Sequence, residues 1–435
     1  MKLELHWTSE YDNVTTLHPL GLAAILVLSL AILIVRRKYV LIPIIIIACF
    51  ISTAQRIVVF RLDFTSLRIL VFVGWLRVIL KKEFTAFSWN PLDKIIIIWA
   101  ITRTLTYVLL WKTVPSFVAK LGQAVDMVGM YFLFRMVIRD IDDTVFITKS
   151  FIIISIPVFL AFLIEKSTAR NIFSILGGVP EYTPIRHGRL RCQGAYPHPI
   201  IAGGFWASMI PLFLAMIWQQ KNRLFGFLGV ITSSTIVITT MSSTPLLGLV
   251  AGLIGFCFFG LRYKIKLLFL SLIVALFGLH LYMKAPVWAL IYRVGVIGGS
   301  TGYHRFRLID STIRNFKEWW LIGIKDTAHW GFLMYDITNQ YVAQAVRGGL
   351  ITLILYIFLI RAVFRNLDGK LREPSLTKSN MVYIWSIMAA LFVHLVQFLA
   401  VSYFGQIIIC WNLVLAFSTI NLPHDSLSNN TSVQL

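Results

Sequence analysis

The sequence predicts an all-α, polytopic integral membrane protein, a single membrane domain over residues 1–435 with about 12–13 transmembrane helices and two long outer loops. Three observations predict it. Hydrophobic residues make up 58% of the chain, and the mean hydropathy is +0.78, both well above a soluble domain. Apolar runs of bilayer-spanning length recur from end to end. Within those runs apolarity is continuous rather than alternating, which excludes a transmembrane barrel.

The spans fall at 19–35, 39–54, 66–80, 94–111, 116–137, 145–164, 200–218, 224–240, 244–261, 267–284, 341–363, 381–400 and 404–421. The short pair within 39–80 leaves the count open between twelve and thirteen. The first span is read as a retained helix, not a signal peptide. Its leader carries Glu4, Glu10 and Asp12 beside Lys2, and Arg36, Arg37 and Lys38 follow as a stop.

Orientation follows from short basic loops. Arg36 to Lys38, Lys81 with Lys82, Arg135 with Arg139, Lys221 with Arg223, Arg262 to Lys266, and the loop Arg361 to Lys378 fall on one side if the spans alternate. The positive-inside rule makes that side the cytoplasm, with the acidic N-terminus outside and the Ser/Asn-rich C-terminal tail inside. Much of the net charge of +21 is then loop charge and calls for no nucleic acid.

Two long loops, 165–199 and 285–340, fall outside, and both are basic. The first holds Lys166, Arg170, Arg186, Arg189 and Arg191 against Glu165 and Glu181. The second holds Arg293, Arg305, Arg307, Arg314, Lys317 and Lys325 against Asp310, Glu318, Asp326 and Asp336. Basic outer loops run against the topogenic bias, and an anionic ligand on the outer face explains them economically. The alternative is that long loops translocate regardless of charge.

The first loop runs into a span through Arg189, Arg191, Gly194, His198 and Pro199. Pro199 suits the first turn of a helix, where a missing N–H costs nothing. Unpaired N–H groups at such a start favour anions, so the segment reads as a place to hold phosphate at a membrane surface. The plainer alternative is contact with lipid head groups.

No metal site is expected, because the outer face has no Asp-x-Asp and no carboxylate cage of the kind magnesium needs. Arginine would have to neutralise a bound pyrophosphate. Cys49, Cys257 and Cys410 lie in spans, Cys192 stands alone in an outer loop, and no disulfide framework is available. Gly298, Gly299 and Ser300 read as a loop bend. Within the membrane, Arg103 and Asp126 lie near mid-depth of adjacent spans and are expected to pair. His394 and Gln397 are expected to make a helix–helix hydrogen bond.

Three segments over about 189–352 resemble the O-antigen ligase and polymerase superfamily of bacterial envelope enzymes. The first, from Arg191 through Gly194 to His198 and Pro199, is similar to that family's Arg-x-x-Gly segment at a span entrance. The second runs from Arg305 through Trp319 and Trp320 to Gly323 and resembles the outer-loop arginine and its following turn. The third is Thr338, Asn339, Gln340 and Tyr341, then Gly349 and Leu350. Departures are Thr338 for a histidine, Arg347 for a glutamate, Thr352 for a glycine, and Thr240 to Ser243 where many members carry Ser-Arg.

The resemblance implies a glycosyltransferase that moves a polyprenyl-pyrophosphate-linked glycan to a sugar hydroxyl, on another lipid-linked glycan or on lipid A core. It implies the outer face of a bacterial inner membrane, no cofactor, no metal, and membrane lipids as surroundings. Arg189, Arg191, His198 and Arg305 would bind pyrophosphate. His329, Asp326 and Asp336 are the base candidates, and Thr338 and Asn339 would position substrate. Two rivals are a transporter of an anion or glycolipid, which predicts half-helices and midplane charges, and a non-catalytic envelope scaffold.

Overall fold

The computed structural model describes residues 15–60, 62–293 and 302–422. The acidic N-terminus, Gly298 to Ser300 and the C-terminal tail lie outside the described residues. Every expected apolar run is helical. In chain order these are α1 (Pro19–Ile34), α2 (Leu41–Phe50), α3 (Ser66–Leu80), α4 (Pro91–Trp111), α5 (Val114–Val137), α6 (Ile141–Thr168), α7 (Pro199–Trp218), α8 (Arg223–Thr239), α9 (Ser243–Cys257) and α10 (Ile265–Tyr282). After a surface helix, α11 (Gly302–Arg314), come α12 (Gln340–Leu371), α13 (Lys378–Phe398) and α14 (Ile407–Phe417).

Eight helical stretches are long and apolar enough to cross a membrane, with Ser243–Tyr282 counted as one. The protein is therefore a multi-pass membrane protein by length and composition. Thirteen full crossings are not shown. The ten residues of α2 rise about 15 Å, half a bilayer, and α1 and α14 are also short. Among the described residues strand is confined to two hairpins, β1 (Arg56–Val59) with β2 (Leu62–Thr65) and β3 (Ile185–Arg186) with β4 (Arg189–Leu190).

Local rules place many helix starts. Asn90 and Asp93 form a capping box ahead of α4, with Pro91 in its first turn. Asp140 caps α6, Thr377 caps α13 and His198 caps α7. The most enclosed span is α7, which packs Phe205, Trp206, Met209 and Phe213 into the core against α8, α9 and α13. By contrast α10 has no buried residue among those described, as expected of a helix surrounded by lipid.

Contacts between loops sort the bundle ends. At one end Arg37 pairs with Asp143, Arg77 with Glu83, Arg135 with Asp93 and Lys266 with Asp368. The chain at Asn421 bonds the Arg139 carbonyl there. Among the described residues the cations Arg37, Arg77, Arg135 and Lys266 of the basic loops and their adjoining helix ends thus have carboxylate partners. At the other end Gln55 bonds the Leu176 carbonyl, Asn339 the Leu399 carbonyl and Gln406 the Ala195 carbonyl. Leu176 and Ala195 of the first long loop and Asn339 of the second take part in these contacts.

The longest helix, α12, is broken at Gly349, whose φ of 75° and ψ of 179° suit glycine alone. The turn at 320–324 docks into the break. Ile324 N–H donates to the Val346 carbonyl at 2.7 Å, and Leu350 N–H donates to the Trp320 carbonyl at 2.8 Å. A Cβ at Gly349 would lie 2.4 Å from the Leu321 carbonyl oxygen. Backbone groups freed by the break are thus satisfied by protein, as irregular backbone near a membrane requires.

Candidate functional site

The site is built from the carboxyl end of α6 outwards. Glu165 is buried in its last turns and accepts from the N–H groups of Gln193 at 3.0 Å and Gly194 at 2.9 Å and from the Thr183 hydroxyl at 3.2 Å. This carboxylate folds the 191–194 segment over the helix end. Gly194 is left-handed, with a φ of 58°, and a Cβ there would lie 2.4 Å from the Phe162 ring. Just upstream, His187 and Gly188 both have positive φ and close a two-residue hairpin of the primed type. Its register sets Arg186 opposite Arg189.

Arg191 leaves this hairpin and turns inward. It is buried, and its Nη2 donates to Ser242 Oγ at 2.6 Å. Arg305, on α11 of the other long loop, is also buried, and its Nη2 donates to Thr244 Oγ1 at 2.9 Å. Ser242 ends the short turn joining α8 to α9 and Thr244 lies in the first turn of α9, so two arginines some 114 residues apart in sequence close on one α8–α9 corner. The Cys192 N–H fixes the first loop to that turn through the Thr239 carbonyl at 3.2 Å. Among the described residues neither arginine meets a carboxylate, and the Nε of each is buried without a hydrogen-bond partner.

The electrostatics are strongly positive. Burial, with the Arg186 charge, holds Arg191 below the ordinary arginine value and brings Arg305 down to about 10. Burial and then the charges of Arg191 and Arg186 push His198 down to about 4. His198 is therefore neutral near pH 7. Its Nδ1 accepts from the Ile200 N–H at 3.1 Å, which leaves the proton on Nε2. The ring caps α7 and offers one neutral donor. Buried guanidinium groups, a ring N–H and a helix start are groups that can donate to an anion.

Fold and site together define an all-α, multi-pass membrane protein with a buried cationic site at one end of its bundle. No protein-family model matches the chain, and no curated protein matches it.

The other expected site residues are dispersed. Arg189 is exposed on β4. His329 sits on the surface, its Nε2 2.8 Å from Glu318 Oε2, an oxygen that also accepts from Trp330 Nε1. Asp326 is exposed and accepts from the Ala328 N–H at 2.9 Å. Asp336 is half-buried, and its backbone carbonyl lies 3.0 Å from His304 Nε2, one residue from Arg305. Burial raises its carboxyl above the usual range, against the opposing charges of His304 and Arg347. Thr338 has a buried hydroxyl without a partner among the described residues. Asn339 caps α12 through the Val342 N–H and ties it to the Leu399 carbonyl.

The expected Arg103–Asp126 pair does not form. Asp126 takes a bidentate pair from Arg68 on α3, at 2.7 and 2.6 Å, while Arg103 donates to Gln123 at 3.3 Å and lies over the Trp99 ring. Gly122, one turn before Asp126 on α5, faces the Arg68 guanidinium as well, so this face of the helix is turned to α3 and not to α4. The expected bond from Gln397 does form, to the Gly204 carbonyl of α7 at 3.2 Å. Tyr403 extends it, bonding both Gln397 and His394.

Sequence reasoning missed Ser242, Thr244 and Arg186 as parts of the site. The α8–α9 turn had a signal, since Thr240, Ser242 and Ser243 are a run of hydroxyl side chains between two apolar runs. Glu165 had none, because a carboxylate in a basic loop reads as an ordinary counter-charge.

Proposed function

We propose that the protein is a membrane glycosyltransferase. It would move a glycan from a polyprenyl pyrophosphate to a sugar hydroxyl on the outer face of a bacterial inner membrane, without a metal. One observation carries the reading: Arg191 and Arg305 reach the same α8–α9 corner from separate loops, each with a buried and unpartnered Nε. Two planar guanidinium forks suit the two phosphates of a pyrophosphate.

The chemistry follows from charge. The acceptor oxygen attacks the anomeric carbon of the donor as the bond to pyrophosphate breaks, and the polyprenyl pyrophosphate leaves with the electron pair. Arg191, Arg305 and the Nε2–H of His198 would stabilise the negative charge growing on it. A base takes the hydroxyl proton. Among the three candidates Asp336 has the best support, since it lies next to α11 and its carboxyl is already shifted towards proton affinity. His329 and Asp326 serve surface contacts. The acceptor is a glycan or a lipid A core.

A second reading, a transporter of an anion or glycolipid, is favoured by the break in α12 at Gly349. One experiment separates the two. The purified protein in nanodiscs is given a polyprenyl-pyrophosphate-linked oligosaccharide and an acceptor glycan, with and without chelator. Transfer is expected in both, and Arg191→Lys and Arg305→Lys are each expected to slow it about tenfold or more through loss of the fork. Absence of transfer with retained lipid flux into proteoliposomes would favour the transporter. Full activity of the double Lys variant, or a strict need for magnesium, would refute the arginine mechanism.

A further inference from the structure

A second cationic cluster, made of groups other than Arg191 and Arg305, lies between α4 and α5. Arg103 on α4 and Lys120 on α5 share a single neutral acceptor. Lys120 Nζ donates to Gln123 Oε1 at 2.9 Å and Arg103 Nη2 to the same oxygen at 3.3 Å. Lys120 is buried and lies 4.0 Å from the Tyr107 ring centroid, and Arg103 lies 5.3 Å from that of Trp99. These groups line a cavity between α4 and α5 with Ala100, Thr104 and Met127. Asp126, the carboxylate on this stretch of α5, is taken by both bonds from Arg68. Among the described residues no carboxylate pairs with Arg103 or Lys120.

Position and charge define what would complete the cluster. Arg103 and Lys120 lie about 9–12 Å along their helices from the Trp111 and Val114 ends, at 1.5 Å per residue. Both cations therefore lie well below the ends of their spans, where an uncompensated charge is costly and an anion must be drawn in between the helices to meet them. The flanking faces of α4 and α5 present Ile101, Leu105 and Leu121 outward, so the cavity borders an apolar surface rather than a water-filled vestibule. Two cations held around one amide oxygen repel each other. An anion between them would remove that cost, and a doubly charged one would balance both. A phosphate monoester carries a charge of about −1.5 to −2 at pH 7, whereas a phosphodiester headgroup carries a single charge. The charge of Arg347 on α12 acts on both groups and adds to the same preference.

We infer that the Arg103–Lys120 cleft binds the phosphomonoester group of a membrane lipid, entering between α4 and α5 from the bilayer. The inference rests on this cluster alone and is independent of the function proposed for the Arg191–Arg305 site. The full-length protein in neutral detergent is titrated with dioleoyl phosphatidate, dioleoyl phosphatidylglycerol or sodium phosphate. Lipid binding is read by native mass spectrometry and stability by the thermal midpoint. Phosphatidate is expected to bind at least about tenfold more tightly than phosphatidylglycerol, as the second charge-assisted contact requires. Arg103→Gln and Lys120→Gln should each erase most of that preference. Gln123→Glu is the deciding variant, since it keeps the fold's shape and places a carboxylate between the two cations. It is expected to raise the thermal midpoint and abolish the preference for phosphatidate. The surface variant Arg314→Gln should retain it. Equal binding of the two lipids, or a Gln123→Glu protein that still prefers phosphatidate, would overturn the inference. A midpoint shift from sodium phosphate as large as that from the lipid at equal concentration would overturn the assignment to a lipid.

Discussion

Replacing Gly349 with alanine tests whether the break in α12 holds the site together. The backbone there has a φ of 75° and a ψ of 179°, a region that costs a residue with a Cβ about 1–3 kcal/mol. The new Cβ would also lie 2.4 Å from the Leu321 oxygen and 2.7 Å from the Leu321 carbonyl carbon, both backbone atoms that a rotamer change cannot move. To relieve the clash the 320–324 turn must undock, losing the bonds from Ile324 N–H and Leu350 N–H. Each is worth about 0.5–1.5 kcal/mol net. A total of about 2–6 kcal/mol is expected. The 320–324 turn follows α11, so its release also frees the helix that carries Arg305. The assays are the thermal midpoint in detergent, hydrogen exchange at residues 320–324, and glycan transfer. Gly369→Ala is the control, because a Cβ there meets nothing within 4 Å and its φ is not left-handed. It should be neutral or stabilising by about 0.4–1 kcal/mol. An unchanged midpoint with exchange at residues 320–324 as protected as in Gly369→Ala would refute the reasoning.

Asp126→Asn should lower folded yield and Arg68→Gln in the same chain should partly restore it, whereas Arg103→Gln should not; restoration by Arg103→Gln alone would place the pair elsewhere. For orientation, cysteines at Tyr182 and Phe332, both well exposed on the long loops, should react with an impermeant reagent on intact cells; labelling only after lysis would reverse the topology. Thr183 is unsuited to that test because it is buried against Glu165. His198 is neutral above about pH 4 in the free protein, and a bound pyrophosphate must raise its proton affinity. Pyrophosphate binding should therefore take up protons as pH falls below the bound value, and tighten over the same window. His198→Asn keeps a capping side chain but does not titrate, so calorimetry in buffers of different ionisation enthalpy should show the uptake in the parent and lose it in the variant. Equal proton uptake in both proteins would assign it to another group.

Sequence alone determined what depends on short-range chemistry. Continuous apolar runs gave helices at every expected span, because backbone groups in hydrocarbon must be satisfied within the segment. Pro199 marked the start of α7 through a helix-end rule that involves only neighbouring residues. Arg191 and Arg305 stood out as charge where the topogenic bias disfavours it. Tertiary structure decided which groups meet. Arg191 and Arg305 find the α8–α9 corner only when α6, α7, α8 and α11 are packed. Asp126 turns to Arg68 rather than Arg103 because its face of α5, shared with Gly122, packs toward α3, and no hydropathy pattern reports a helix's rotation about its axis. His329 lies with Glu318 at the surface while Asp336 lies beside α11, although both belong to the same polar loop. Gly349 could be read as a flexible point, but its role as a dock for the 320–324 turn needs the distant backbone that presses against it. Local propensity and burial are written along the chain, whereas partner choice between helices is set by crossing geometry and packing.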